Sequence, residues 1–164
     1  MILNWLRDNQ EYALIIVPLV AFLEAFVGIG IFVSGVILLS VCTLMYTEQI
    51  ATLTQMLPLA FLGATIADHS GYYLGLWIGP RFHHTAFAIK RRKFIEKPED
   101  MIRRYGGYAI IFGRLMTSIR SVIPLLIGIC YMPRWKYTLI DFTACAIWTS
   151  GLGLLVVGLD NLIN

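Results

Sequence analysis

The sequence has little charge. Only 14% of its 164 residues are Asp, Glu, Lys or Arg, against about 25% in an average soluble domain. With 58% of residues hydrophobic and a mean hydropathy of +0.73, few polar side chains remain to cover a water-facing surface. That scarcity argues against a soluble enzyme, a disordered tail or a nucleic-acid reader, and in favour of a small integral membrane protein. Cysteine is also scarce. Cys42, Cys130 and Cys145 are an odd set, each inside apolar sequence, so no disulfide framework is implied and no pair has metal-ligand spacing. They read as small buried hydrophobes. The first ten residues include Asn4, Arg7, Asp8, Asn9 and Gln10, with no apolar run before a small-residue cleavage site, so no cleavable signal is expected. The length suits a single membrane domain, residues 1–164, of roughly four to six apolar segments.

The placement of charge carries more than the net value of +3. Arg81, Lys90, Arg91, Arg92, Lys93, Lys97, Arg103 and Arg104 crowd the stretch 80–105, which marks a basic cytoplasmic loop by the positive-inside rule. Pro98 with Glu99 and Asp100 behind it looks like a helix start inside that loop. Residues 1–11 are amphipathic, with Trp5 suited to an interfacial anchor. Apolar sequence runs from Tyr12 to Tyr46, interrupted by Pro18, Glu24, Gly28, Gly30 and Gly35. A helix followed by a broken or re-entrant hairpin explains it better than one rod, since each helix glycine costs about 1 kcal/mol relative to Ala. A polar gap at 47–50 precedes a second apolar stretch, Ala51 to Ile78, and a third runs Tyr108–Met132. A basic turn, Pro133-Arg134-Trp135-Lys136, separates it from a last span, Tyr137 to Leu159. If both basic segments are cytoplasmic, Tyr108–Met132 enters and leaves on one side, and the segment before the uncharged gap is a hairpin from the other. The expected fold is therefore an all-α polytopic membrane protein. Two oppositely oriented re-entrant helical hairpins are each followed by a transmembrane helix, an inverted repeat with its site near the midplane.

Glu24, Asp68, Arg114 and Arg120 lie inside apolar stretches. An Arg or Asp at a helix centre in a membrane costs about 2.5–3.5 kcal/mol, so four uncompensated charges approach a whole domain's stability, on the order of 10 kcal/mol. They must be paired, wetted or shallow. Salt-bridge glue between the halves is one reading. An ionic substrate path is the other, and snorkelling to the interface a third. Arg114 and Arg120 would point about 120° apart on a straight helix, so aiming both at one anion requires a break, for which Thr117, Ser118 and Pro124 supply local means. Arg binds phosphate bidentately and stays charged in a dry site, and desolvated carboxylates take up protons. The combination points to a lipid phosphate or other anion coupled to proton movement.

Three motifs resemble the DedA family of bacterial inner-membrane proteins, also called SNARE-associated or VTT-domain proteins. The first is Phe22-Leu23-Glu24 followed by Gly28 and Gly35. The second is Gly63, Asp68, Tyr72, Gly75 and Gly79. The third, and most specific, is Phe112-Gly113-Arg114 with Arg120, Pro124, Gly128, Met132 and Trp148. The resemblance covers most of residues 20–150. It implies a transporter rather than an enzyme, linked to flipping of polyprenyl-phosphate carriers, phospholipid translocation and tolerance of pH, membrane-potential and cationic-peptide stress. Arg114 and Arg120 are then the expected substrate-binding residues, with Glu24 and Asp68 in proton coupling or charge balance. Undecaprenyl phosphate is the best single substrate, the bacterial cytoplasmic membrane the location, and no cofactor or metal is expected. The chain departs from the pattern at Val36, where the family commonly has a second acid, and at Leu76, Thr117 and Asp141.

Other residues read two ways. His69 beside Asp68 suits a proton relay or metal ligand, and more simply a histidine donating to a neighbouring helix. His83 and His84 suit a solvated loop. Tyr72 and Tyr73 suit head-group contact or plain packing, and Trp135 a membrane-surface anchor. Gly71, Gly75 and Gly79 form a small-residue face for close packing, within the chain or in a homodimer. The partners expected are membrane lipids and no nucleic acid. Rival functions are a general phospholipid scramblase, a membrane-embedded lipid phosphatase using His69 with Asp68, and a non-transporting scaffold.

Overall fold

A computed structural model describes residues 10–31, 35–82 and 120–163, and every element among them is helical. Most of the amphipathic N-terminus, the basic loop from residue 83 onward, the expected helix start at Pro98, and Arg114 lie outside the described residues.

Helix α1 (Gln10–Ala25) stops where glycine begins. Gly28 takes φ +88° with open space around it, so backbone conformation, rather than crowding, requires a glycine there. A 3₁₀ turn, Ile29–Ile31, follows, then α2 (Gly35–Thr47), which packs back on α1. The apolar run from Tyr12 to Tyr46 is thus two helices around a break. Helix α2 ends in a Schellman motif: Gln49 adopts φ 56°, its N–H donates to the Tyr46 carbonyl at 3.0 Å, and the Ile50 N–H donates to Met45 at 2.9 Å. Helix α3 (Leu53–Phe82) opens with a capping box, in which the Thr52 N–H donates to Gln55 Oε1 at 3.1 Å.

In the second half, Arg120–Val122 form a turn ahead of α4 (Ile123–Ile129), which carries Pro124 in its first turn, where a proline's missing N–H has no helix partner to lose. It too ends in a Schellman motif: Tyr131 at φ 55°, its N–H to Gly128 at 3.1 Å and the Met132 N–H to Ile127 at 3.4 Å. Helix α5 (Arg134–Ile163) follows at once. The expected basic turn is corrected here. Only Pro133 lies outside the helix, and its carbonyl accepts the Tyr137 N–H at 3.1 Å, so Arg134, Trp135 and Lys136 form the first turn of α5.

Helices α3 and α5 are 30 residues each, about 45 Å long, against a hydrocarbon core of about 30 Å. Arg134–Leu162 is the one stretch among the described residues both long and apolar enough to cross a membrane. Helix α3 has the length but carries Asp68 and His69 mid-way. Large apolar side chains such as Ile66, Trp77, Leu139 and Leu154 are more than half exposed, a surface suited to lipid rather than water.

Helix α3 packs against α1, α4 and α5. The main apolar cluster draws Val17 and Ala21 from α1, Leu38, Cys42 and Met45 from α2, Met56 and Ala60 from α3, and Leu152 and Val156 from α5. Close approach rests on glycine. Gly63 admits the Pro18 carbonyl of α1, and Gly75 and Gly128 face each other where α3 crosses α4. The small-residue face of α3 is therefore used within the chain, with Gly79 against the Tyr131 ring. Tyr72 belongs to the packing: it stacks on Tyr137 at 4.3 Å, and its hydroxyl donates to the Met132 carbonyl.

Candidate functional site

Glu24 ends α1 just before the break, and Arg120 stands in the turn before α4. The fold brings the two together. Arg120 Nη2 lies 2.6 Å from Glu24 Oε1, with the side chains 6% and 2% exposed. The distance is that of a charge-assisted contact, though without the alignment of a hydrogen bond, and Glu24 Oε2 has no hydrogen-bond partner among the described residues. Trp148 of α5 lies under the guanidinium, 5.0 Å from its carbon, a cation–π contact. The pair joins the end of α1, just ahead of the break at Gly28, to the turn that precedes α4. A Cβ on Gly30 would collide with the Glu24 carbonyl and stand 2.9 Å from Ser121 Cβ, so only glycine lets the first break close on the second turn.

Asp68 does not join this pair. It lies in a second buried cluster between α3 and α5, with Asp141 and Cys145, whose ligand atoms all fall within 4.8 Å of one another. Cys145 Sγ is 3.9 Å from Asp68 Oδ2 and 4.0 Å from Asp141 Oδ2, and it accepts the Thr65 hydroxyl at 3.3 Å. Two carboxylates and a thiol are a donor set that a borderline-soft divalent cation would accept. His69 flanks the cluster. Its Nδ1 is 3.0 Å from the Thr65 carbonyl and 3.5 Å from Asp141 Oδ2. A carbonyl only accepts, so Nδ1 carries the hydrogen, and in the neutral ring Nε2 accepts from the Thr138 hydroxyl at 3.1 Å. His69 therefore bridges α3 to α5. Its acidic neighbour is Asp141, not Asp68 as the sequence pairing had it, because successive helix residues diverge by about 100°. Between the two polar clusters lie Ala25, Ala64 and Ala67, with Phe22, Phe26, Phe61 and Trp148 packed round them.

Of the four expected site residues, Glu24 and Arg120 meet, Asp68 stands apart from them, and Arg114 lies outside the described residues. Three participants escaped the sequence reading: Asp141, Trp148 as the partner of Arg120, and Ser121. Asp141 had a signal. It is the single charged residue between Tyr137 and Leu159, and an ionisable group inside a spanning segment is a site hypothesis by default.

Described residues that are helical throughout their elements, with lipid-suited outer faces and a buried cross-segment ion pair, define a membrane protein. The VTT-domain family model matches residues 12–157, and the chain belongs to that family, the DedA family. It is similar to the inner membrane protein YabI of Escherichia coli (strain K12), 25% identical over 153 residues covering 88% of this chain and 57% of that protein. It is likewise similar to the uncharacterized membrane protein BU139 of Buchnera aphidicola subsp. Acyrthosiphon pisum (strain APS), 23% identical over 145 residues with the same shares. An uncharacterized membrane protein of Synechocystis is 30% identical over 94 residues, 56% of this chain and 43% of that one. The matches thus cover only about half the length of these relatives, between 43% and 57%. No solved structure matches it significantly.

Proposed function

We propose that this protein translocates an anionic lipid across the bacterial cytoplasmic membrane, with undecaprenyl phosphate as the substrate, in a cycle coupled to protons or to the membrane potential. In this reading the two interrupted regions are opposed re-entrant hairpins, each leading into a spanning helix. The chain is then a multi-pass inner-membrane protein that releases no chemical product.

The observation that carries the reading is the buried Glu24–Arg120 pair between the end of α1 and the turn ahead of α4. Structural glue would serve as well inside one rigid element. Here the acid ends α1 and the base stands in the turn ahead of α4, so parting these elements exposes a guanidinium in a low-dielectric place. A phosphate then replaces the carboxylate, which the planar, permanently charged guanidinium favours. Glu24, released, takes the coupling proton or waits to re-pair. Arg114 shares the phosphate charge, and Asp68 belongs to charge balance along the same path.

The test is lipid translocation by purified protein in vesicles, with several lipid phosphates, with and without a pH gradient. The Glu24→Gln/Arg120→Gln double variant removes both charges of the pair and is expected to fold yet lose at least about tenfold in rate, equivalent to about 1.4 kcal/mol. Wild-type transport by that variant would overturn the reading. Labelled lipid phosphate checks the phosphatase alternative, since a transporter releases no phosphate. A scaffold predicts lower protein abundance and no change in transport per molecule.

A further inference from the structure

Ser121 follows Arg120 in the turn ahead of α4. Its side chain is 0% exposed, and its hydroxyl has no hydrogen-bond partner among the described residues. A buried hydroxyl left in that condition destabilises the fold, and alanine at the same place would relieve the penalty. Local structure does not call for the hydroxyl. The N-cap of α4 is Val122, with no side-chain cap bond. Packing does not call for it either, because what approaches Gly30 is Ser121 Cβ, which alanine retains. The residue that carries it is nonetheless close to the ion pair. Arg120 is its chain neighbour, and Ser121 Cβ and the Glu24 carbonyl lie against the same point of Gly30. Glu24 Oε2 is also without a hydrogen-bond partner there.

We infer that Ser121 is a substrate-binding and selectivity residue whose Oγ–H donates to an oxygen of the phosphate group that Arg120 neutralises. This rests on the transport reading above and adds to it. The resting site holds a carboxylate, which engages the guanidinium and leaves Ser121 unmatched. A phosphate monoester or diester presents more oxygens than one guanidinium fills, so it satisfies Arg120 and Ser121 together. The site in this way prefers a tetrahedral oxyanion to the protein's own carboxylate, and the hydrogen bond that Ser121 lacks is made when the phosphate binds.

The full-length protein is tested in vesicles as wild type, Ser121→Ala and the Glu24→Gln/Arg120→Gln double variant. Thermal midpoint and translocation are measured over a range of lipid-phosphate concentrations, and inorganic phosphate is run as a second ligand. Ser121→Ala is expected to unfold at or above the wild-type midpoint. At subsaturating substrate it transports at least about tenfold less efficiently, and the rise in midpoint that lipid phosphate gives the wild type is smaller. Protection by inorganic phosphate that Ser121→Ala loses supports a contact with the free anion. Protection by the lipid alone, lost in the same variant, supports a contact that needs the whole head group. A Ser121→Ala protein that transports and binds phosphate as wild type does would show that the hydroxyl holds at most a buried water, and would overturn the inference. So would a lowered midpoint with transport lost only in proportion to folded protein. Normal transport by the double variant would instead remove the phosphate-site reading itself. A defective double variant beside a normal Ser121→Ala protein removes only the role of Ser121.

Discussion

The stretches Gly35–Phe82 and Ile123–Ile163 are built alike in backbone and unlike in chemistry. In each, a shorter helix closes with a Schellman motif on a non-glycine residue in the left-handed region, Gln49 or Tyr131, and a 30-residue helix follows. Glu24 stands ahead of the first stretch and Arg120 ahead of the second. The plan repeats while the charge ahead of it alternates, and the acid ahead of the first stretch pairs with the base ahead of the second. The comparison teaches that a repeated backbone plan can carry opposite charges, and that one buried ion pair then ties the two halves together.

The largest expected effect breaks that complementarity. Arg120→Ala leaves the Glu24 carboxylate buried without its cation and should cost about 3–5 kcal/mol, measured as loss of thermal stability in detergent. The Glu24→Gln/Arg120→Gln double variant should lose far less. Equal losses for single and double variants would show that the charges are not the link.

Next come the glycine contacts between the halves. Gly75→Ala drives a Cβ into the Leu125 carbonyl and toward Gly128 and should cost about 1–3 kcal/mol. Gly151→Ala and Gly158→Ala, where nothing lies within 4 Å, should be neutral or stabilising by up to about 1 kcal/mol, the helix preference for Ala. Tolerance at Gly75 would refute the close crossing of α3 and α4.

Between the long helices, Thr138→Val removes the hydroxyl that meets His69 Nε2 and should cost about 1 kcal/mol. An unchanged midpoint would mean that His69 does not tie α3 to α5. The smallest effect separates the two Schellman turns. Gln49→Gly relieves a left-handed side chain and should gain up to about 1 kcal/mol. Tyr131→Gly offers the same relief but removes the ring packed against Gly79, so it should show no gain. Equal gains at both sites would erase the distinction.

Much of the helix layout was legible because its causes are local. Gly28 and Gly30 break the first apolar run where the 3₁₀ turn falls, and Pro133 marks the boundary between α4 and α5. The start of α5 was misread by a few residues, because the basic cluster Arg134–Lys136 resembles a loop while Pro133 already presents its carbonyl to Tyr137. The site was legible in part. Buried charges announce themselves by their cost in an apolar run, which singled out Glu24 and Arg120. Asp141 enters the sequence reading only as a departure from the family pattern, because Asp68, His69 and Cys145 gather round it only when α3 packs on α5. Ser121 was passed over because a serine is silent until its burial is known.

By itself the sequence determined the class of the protein, since too few polar groups exist to face water, and it determined roughly where the helices break, since glycine and proline act on their own backbone. Only the tertiary structure decided which acid meets which base. Glu24 goes to Arg120 and His69 turns to Asp141 because contact depends on how whole helices cross, and those crossings are set by close packing at Gly30, Gly63 and Gly75.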